Sequence, residues 1–201
     1  NEGFNNFGCK IVKNGDVMLD LAMYTKTLNN DSMKYFHTEL PKDYVLCTIH
    51  REEGTNNIKK LKSIINALNK IGEEIDIILP LHPRTKNNIL ANNINLNFKS
   101  SDPVGYLEMA RLLANCSLVI TDSGGLQKEA FFFKKNCVTI REETEWTELV
   151  ENGFNTLAGF DEDVIYNSYK SMLSKQNNFN IDLYGTGNAS QIILETLRKL
   201  Q

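Results

Sequence analysis

The sequence predicts an α/β fold in which a parallel sheet is covered by helices on both faces. Short apolar runs alternate with amphipathic stretches of about 10–15 residues, which is typical of βαβ units. The chain has 201 residues, 41% of them hydrophobic, which is enough for one good core or two small ones. The formal net charge of −3, with no basic stripe, argues against a nucleic-acid partner.

Apolar runs rich in β-branched residues mark the strands. We predict strands at 45–49, 75–79, 94–98, 118–120, 138–140 and 156–158. Pro80 and Pro83 close the second of them. None of the runs is long enough to cross a bilayer, so we expect no membrane segment.

Helices follow from apolar residues that recur near a period of 3.6, as Ile58, Leu61, Ile65 and Leu68 do. We predict helices at 58–68, 86–91, 106–113, 125–133, 144–151, 161–173 and 188–200. Asp161 is the expected N-cap of the sixth, and Gly153 is the expected stop of the fifth.

The cysteines are scattered singly, and three lie inside apolar runs, where a thiol usually serves as a small core residue. No C-x-x-C pair or Cys/His cluster suggests zinc. We therefore expect no metal and a reducing, cytoplasmic setting.

Ligands of open parallel sheets bind beyond the carboxyl ends of the strands. The residues that follow the predicted strands are rich in histidine, arginine and small polar groups: His50-Arg51-Glu52-Glu53, His82-Pro83-Arg84, Asp122-Ser123-Gly124-Gly125 and Arg141. Their convergence on one edge of the sheet predicts a phosphorylated ligand.

The segment 122–125 places a serine hydroxyl and two glycines at the start of a predicted helix. A helix N-terminus offers free amide groups and a positive dipole end, which favour a phosphate. Glu129 lies about 1.5 turns into this helix, within reach of a sugar hydroxyl. The alternative is that Asp122 or Ser123 only caps the helix and the glycines only form the turn.

Single residues on this edge also have two interpretations. His50 could donate a proton or contact a phosphate, and His82 could donate to the ligand, but either histidine could be structural. Arg51 is a natural phosphate partner that Glu52 or Glu53 could equally pair with. Met109 and Trp146 could cover a base ring or serve only in packing.

Taken in order, these segments resemble the UDP-N-acetylglucosamine 2-epimerases of the non-hydrolysing type. The resemblance rests on segments 48–53, 81–83, 121–130, 141–148, 151–155 and 184–190, which keep the family's order and spacing over nearly the whole chain. Segment 12–20 resembles the hinge that joins the family's two domains. Met109 stands where the family usually has an aromatic residue, and Trp146 and Lys128 replace a usual arginine and glutamate.

The resemblance implies one half of a glycosyltransferase-B-type architecture. Residues 1–40 would form the hinge and a linker helix, and residues 41–201 a Rossmann-like UDP-binding domain with a C-terminal crossover helix. The partner would be the missing N-terminal domain, and a homodimer is compatible with the family. The family's usual role is to supply sugars for cell-surface polysaccharide.

The resemblance further implies interconversion of UDP-GlcNAc and UDP-ManNAc by elimination and re-addition of UDP, without metal or nicotinamide. His50 matches the catalytic position. Ser123 with the following glycines matches the diphosphate contacts, Glu129 matches the ribose contact, and Arg51, Glu53 and His82 match positions that line the UDP-sugar. The carboxylates that move the C2 proton would lie in the N-terminal domain. A glycosyltransferase domain and a non-catalytic UDP-sugar-binding module stay open as alternatives.

Overall fold

The computed structural model describes residues 4–28 and 40–199. The chain forms two compact units, which we call the terminal unit (Asn1–Leu28 with Ile181–Gln201) and the sheet unit (Asn29–Asn180). The C-terminal helix thus groups with the first helix, whereas the sequence placed it with the UDP-binding domain. Within the segment 1–40, predicted to hold the hinge and a linker helix, the structure has a helix at Val17–Thr27, and residues 29–39 lie outside the described residues.

The sheet unit is built on parallel strands, as predicted. They are β1 (Tyr44–Thr48), β2 (Asp76–Pro80), β3 (Ser100–Ser101), β4 (Leu118–Thr121), β5 (Cys137–Thr139) and β6 (Asn155–Leu157). Over the described residues their order is β3-β2-β1-β4-β5-β6, and every pairing is parallel. This is the order of the dinucleotide-binding fold, in which the strand order reverses beside β1 and β4.

A short 3-10 turn at Phe4–Phe7 comes first, and most of the helices that follow it connect the strands. They are α1 (Val17–Thr27), α2 (Glu52–Thr55), α3 (Ile58–Gly72), α4 (Pro83–Ala91), α5 (Tyr106–Asn115), α6 (Gly124–Phe132), α7 (Thr147–Glu151), α8 (Glu162–Ser174) and α9 (Ala189–Arg198). Asp161 caps α8 as predicted, because its carboxylate accepts from the amides of Asp163 and Val164. α7 begins three residues later than predicted.

The core of the sheet unit is the layer between the strands and α3 and α8. The apolar stripe of α3 is buried, and every residue of β1 is buried as well. Burial on both faces explains why β1 reads as a continuous apolar run without alternation. This core fixes where the strands end, and therefore where the polar residues that follow them lie.

The predicted strand at 94–98 is wrong, since these residues form a loop. The side chain of Asn69 on α3 takes the hydrogen bonds that a sheet would otherwise make: its amide nitrogen donates to the carbonyl of Asn95, and its oxygen accepts from the amide of Asn97. Ile94, Leu96 and Phe98 still pack on the core. Alternating apolar residues therefore signalled burial here, and the third strand begins only at Ser100.

The terminal unit is held by a carboxylate of the predicted hinge segment. Asp20 on α1 accepts from the amides of Ala189 and Ser190 at 3.0 and 2.7 Å, and so caps the N-terminus of α9. Gly15 and Gly185 approach closely, with positive φ angles of 84° and 91°. A Cβ on Gly185 would lie 3.0 Å from the Cα of Gly15, so both positions need glycine.

Within the described part of the chain, no helix combines the length and the apolarity that a bilayer crossing requires. The same residues include no group of three or more His, Cys, Asp or Glu placed to hold a metal ion. Cys47, Cys116 and Cys137 are buried thiols. Burial raises the pKa of the Cys116 and Cys137 thiols to about 12, which leaves them protonated and unreactive.

Candidate functional site

A cleft of about 290 Å³ lies at the carboxyl ends of the strands in the sheet unit. Its polar lining comes from Thr48, His50, His82, Ser123 and Glu129, with Gly125 beside them, and its apolar lining includes Ile49, Met109 and Leu126. This is the edge on which the sequence predicted that polar residues would meet. We call it the rim cleft.

His50 and His82 face each other across the rim cleft, with ring centroids 6.4 Å apart. They follow neighbouring strands β1 and β2, whose register pairs Leu46 with Ile78. Parallel neighbours end at the same edge, so residues separated by 32 positions in the chain become neighbours in space.

His50 is oriented by Asp122, a residue that is only 2% exposed. One carboxylate oxygen of Asp122 accepts from the backbone amides of His50 and Arg51 at 2.7 and 2.8 Å. The other lies 3.0 Å from Nδ1 of His50, but it accepts no hydrogen bond with good geometry from any described residue. The negative charge of this nearby carboxylate favours a proton on Nδ1, which leaves Nε2 as the nitrogen available to a ligand.

His82 is held differently, as the N-cap of α4. Its Nδ1 accepts from the amide of Arg84 at 3.3 Å, and Pro83 occupies the first position of the helix. A neutral imidazole that accepts at Nδ1 carries its proton on Nε2. His82 can therefore donate a hydrogen bond into the rim cleft, as the sequence suggested.

The turn at 122–125 has the predicted geometry, with α6 beginning at Gly124. Ser123 is the N-cap, and its hydroxyl accepts weakly from the amide of Leu126 at 3.4 Å. Its own amide donates to the Thr121 hydroxyl. Gly124 and Gly125 occupy the first two helical positions, where an amide has no acceptor inside the helix. Ser123 thus caps the helix and also lines the rim cleft, so the capping interpretation and the ligand interpretation are compatible.

Glu129 lies in the rim cleft, and it is only 8% exposed. Burial raises the pKa of this carboxylate, while a hydrogen bond from the Tyr106 hydroxyl and the charge of Lys128 act in the opposite direction. Burial and the neighbouring carboxylate raise the pKa of Tyr106 to about 12, so its hydroxyl stays a donor. A buried carboxylate with free acceptor capacity suits the hydroxyl groups of a sugar.

Arg51, Glu53 and Gly124 do not line the rim cleft. Nη2 of Arg51 lies 3.7 Å from Oε1 of Glu145, beside Gly124. Glu53 faces Nζ of Lys60 at 3.9 Å. Met109 does line the cleft, half-buried at its apolar end, where it could cover a base.

Two residues of the site were not singled out from the sequence as functional. Asp122 was placed with the residues that follow the strands and considered as a helix cap, but not as the residue that orients His50. The register of β1 with β4 pairs Thr48 with Thr121, which brings the residues just after both strands together. Tyr106 was predicted only as the start of a helix, and its contact with Glu129 depends on how α5 and α6 pack.

The rim cleft provides backbone amides that can bind an anion, with two imidazoles next to them. It also provides a carboxylate that can accept from hydroxyl groups, and one end of the cleft is apolar. These are the groups that a nucleoside diphosphate requires. The described part of the chain provides no cluster of metal ligands around them.

Comparison with known proteins identifies relatives. The family model for UDP-N-acetylglucosamine 2-epimerase matches residues 2–198. A Pseudomonas aeruginosa protein named UDP-2,3-diacetamido-2,3-dideoxy-D-glucuronate 2-epimerase is 45% identical, over 100% of this chain and 56% of its own length. The chain spans about half the length of the curated relatives it matches.

Solved structures that are similar to this chain support the same family. A Methanocaldococcus jannaschii UDP-GlcNAc 2-epimerase, determined in complex with UDP-GlcNAc and UDP, is similar with a TM-score of 0.85 and 32% identity, over 97% of this chain and 57% of that one. A glycosyltransferase of lipopolysaccharide biosynthesis has a similar fold at a TM-score of 0.51 and 13% identity, over 87% of this chain and 50% of that one. The predicted fold class, a Rossmann-like half of a glycosyltransferase-B-type architecture, is confirmed. The chain belongs to the UDP-N-acetylglucosamine 2-epimerase family.

Proposed function

We propose that this chain is the C-terminal, UDP-binding part of a 2-epimerase that acts on a UDP-linked 2-acetamido sugar. The single observation that carries the proposal is the meeting of His50, His82, Ser123, Gly125 and Glu129 in one cleft. In this proposal the amides of Gly124 and Gly125 and the Ser123 hydroxyl hold the diphosphate, Glu129 binds the ribose hydroxyls, and Met109 covers the uracil.

The reaction proposed for the whole protein begins with loss of the C2 proton and cleavage of the C1–O bond. It yields UDP and a 2-acetamidoglucal, and addition of UDP with a proton on the opposite face of C2 gives the epimer. In the protonated, imidazolium form, which the carboxylate of Asp122 beside Nδ1 stabilises, His50 donates to the departing diphosphate through Nε2. Arg51 and His82 stabilise the negative charge from the side, and Glu53 stays a predicted contact of the UDP-sugar. No metal or nicotinamide is required.

The carboxylates that take the C2 proton belong, in this proposal, to an N-terminal domain. The terminal unit supports the need for such a partner, because α9 leaves Leu194 and Leu197 49% and 56% exposed. Exposed apolar side chains of this kind are typical of surfaces that another domain covers. The 201-residue chain alone is therefore expected to bind UDP without epimerising its sugar. The buried thiols support a cytoplasmic location.

The sugar has two candidates. UDP-GlcNAc is the substrate that the family description suggests. The 45% identity to the Pseudomonas aeruginosa protein favours a UDP-2,3-diacetamido-glucuronate instead. Incubation of the complete protein with each UDP-sugar alone, followed by product analysis, decides between them. A requirement for an acceptor would indicate a glycosyltransferase. A protein that converts neither UDP-sugar would be a non-catalytic binding module. Release of free sugar would indicate a hydrolysing relative.

Calorimetric titration of the chain with UDP tests the binding proposal directly. We expect Ser123→Ala and Glu129→Ala each to weaken binding by about 1 kcal/mol or more, since each removes a hydrogen bond to the ligand. Ser174→Ala serves as the control, because among the described residues its hydroxyl bonds only to helix carbonyls on α8. Absence of binding at millimolar UDP would overturn the proposal, and unchanged affinity in both variants would overturn the assigned site.

A further inference from the structure

Two backbone carbonyls in the first turn of α6 accept hydrogen bonds from side chains. Nε2 of Gln127 donates to the carbonyl of Ser123 at 3.2 Å, and the indole nitrogen of Trp146 donates to the carbonyl of Gly124 at 2.8 Å. These are the carbonyls of the peptide units that carry the amides of Gly124 and Gly125.

Gln127 is 1% exposed and is fixed by a buried network. Its Oε1 accepts from the Thr144 hydroxyl at 2.6 Å and from Nδ2 of Asn155 at 2.9 Å. The Thr139 hydroxyl in turn donates to Oδ1 of Asn155. Because both partners of Oε1 are donors, the amide nitrogen of Gln127 must face Ser123.

Trp146 is fixed from two sides. Its own amide donates to the Thr144 hydroxyl at 3.2 Å, and Nζ of Lys128 lies 4.1 Å from the centre of its ring. The half-buried indole is thus part of the same polar network as Gln127. Neither side chain lines the rim cleft, so any role in ligand binding is indirect.

In a planar trans peptide the carbonyl and the following amide point in opposite directions. A donor that fixes the carbonyl therefore fixes the amide on the other side, and it also polarises that N–H group. Gly125 lines the rim cleft, so its amide belongs to the unit whose carbonyl Trp146 holds. Because two adjacent glycines have no side chains to restrict these peptide planes, hydrogen bonds to their carbonyls are needed to hold the planes in one orientation.

We propose that Trp146 and Gln127 are positioning residues for the diphosphate: they hold the Ser123–Gly124 and Gly124–Gly125 peptide planes so that the glycine amides face the bound anion. This inference rests on the UDP site proposed above. It assigns Trp146 a role through its N–H group, distinct from packing and from contact with the base.

Trp146→Phe is the test, because it removes the indole N–H and keeps an aromatic ring under Lys128. We expect the affinity of the 201-residue chain for UDP to fall about threefold to tenfold, with unchanged affinity for uridine, which has no phosphate. Ligand-observed NMR measures uridine and calorimetry measures UDP. Tyr44→Phe is the matched control, since it removes a buried side-chain hydrogen bond to the Leu112 carbonyl (2.7 Å) and should alter neither affinity.

A second measurement needs no variant. Trp146 is the only tryptophan in the chain, so its indole N–H gives a single NMR signal. We expect UDP to move this signal downfield and slow its exchange with solvent, because an anion on the Gly125 amide strengthens the Gly124 carbonyl as an acceptor. Uridine should leave the signal in place.

The outcomes separate the two proposals. Suppose that the parent chain binds UDP. If Trp146→Phe binds UDP equally well, or if its affinities for UDP and for uridine fall by the same factor, the positioning role is wrong and the UDP site stands. If the variant does not fold, an indole signal that responds to uridine as much as to UDP overturns the positioning role by itself. A parent chain that does not bind UDP overturns both proposals.

Discussion

The buried carboxylate of Asp122 connects the ends of β1 and β4 and decides which nitrogen of His50 faces the rim cleft. In Asp122→Asn the amide oxygen can still accept from the backbone amides of His50 and Arg51. The amide nitrogen would then face Nδ1 of His50 and donate to it, which moves the imidazole proton to Nε2. We expect a folded variant, destabilised by about 1 kcal/mol, in which the tautomer of His50 is reversed.

Long-range ¹H–¹⁵N NMR at about pH 8.5, well above the ordinary imidazole pKa, reports the tautomer of each histidine. His82 is the internal control, because its Nδ1 accepts from Arg84 and does not depend on Asp122. An unchanged His50 tautomer in Asp122→Asn would contradict the orienting role.

Glu129 is a carboxylate whose burial favours binding at the expense of stability. Burial raises its pKa in the folded protein above the ordinary 4.5, despite the opposing effects of Tyr106 and Lys128. The ionised form therefore destabilises the fold at neutral pH, and this cost disappears as pH falls through the raised pKa towards 4.5. We expect Glu129→Gln to be more stable than the parent at pH 7 and to bind UDP about tenfold more weakly.

Urea unfolding at a series of pH values tests this trade-off. The stability difference between Glu129→Gln and the parent should be largest near neutral pH and vanish below the ordinary pKa. Glu162→Gln, on the exposed first turn of α8, controls for the loss of a carboxylate as such. A variant that is less stable than the parent at pH 7 would be inconsistent with a raised pKa.

At the scale of elements, the segment between β5 and α7 is fastened by Arg141 and Glu145. The two guanidinium hydrogen bonds, at 2.8 and 3.0 Å, lower the pKa of Glu145 to about 2. A lowered carboxylate pKa stabilises the fold above the ordinary value of 4.5 and loses that effect as pH falls towards 2. Glu145→Gln should therefore be less stable at pH 7, by about 1 kcal/mol or less because the carboxylate is half exposed.

Denaturant midpoints of the parent and of Glu145→Gln should converge as pH falls from about 4.5 towards 2. Glu143→Gln, in the same segment, should show a smaller difference at every pH. Midpoints that stay equally far apart at low pH would show that Glu145 acts through packing and not through its charge.

The helices and strands were largely predictable because both faces of this sheet are covered, which turns strands into apolar runs and helices into apolar stripes. The strand predicted at 118–120 is found at Leu118–Thr121, for example. The alternation of apolar residues alone could not distinguish a strand at 94–98 from a loop whose apolar side chains pack on the core. That distinction depended on Asn69, which lies 25 residues earlier than Ile94 in the chain and competes for the backbone hydrogen bonds.

The rim cleft could be predicted in part. The rule that ligands bind beyond strand ends predicts from the sequence alone that His50, His82 and Ser123 lie together. Contacts that depend on the register of two strands or on the packing of two helices were out of reach, as for Asp122 with His50 and Tyr106 with Glu129. Side-chain hydrogen bonds to a carbonyl, such as that of Trp146, leave no periodic signal in a sequence.

At the scale of the whole molecule, the sheet unit contains both the core and the rim cleft. The buried cluster of its core runs from Val45 to Met172, and the cleft residues lie between Thr48 and Glu129. We therefore expect a shortened chain of residues 40–180 to fold and to bind UDP as the full chain does. Circular dichroism and calorimetry measure both properties, and a folded fragment that has lost UDP affinity would place part of the site in the terminal unit.

An NMR titration of the ¹⁵N-labelled chain with UDP tests the proposed diphosphate site most directly. We expect the largest shifts on the amides of Gly124 and Gly125, with further shifts at His50 and Glu129, because the proposed diphosphate site lies at the start of α6. Saturation with UDP that leaves the two glycine amides unmoved, or moves residues on the opposite edge of the sheet, would contradict it.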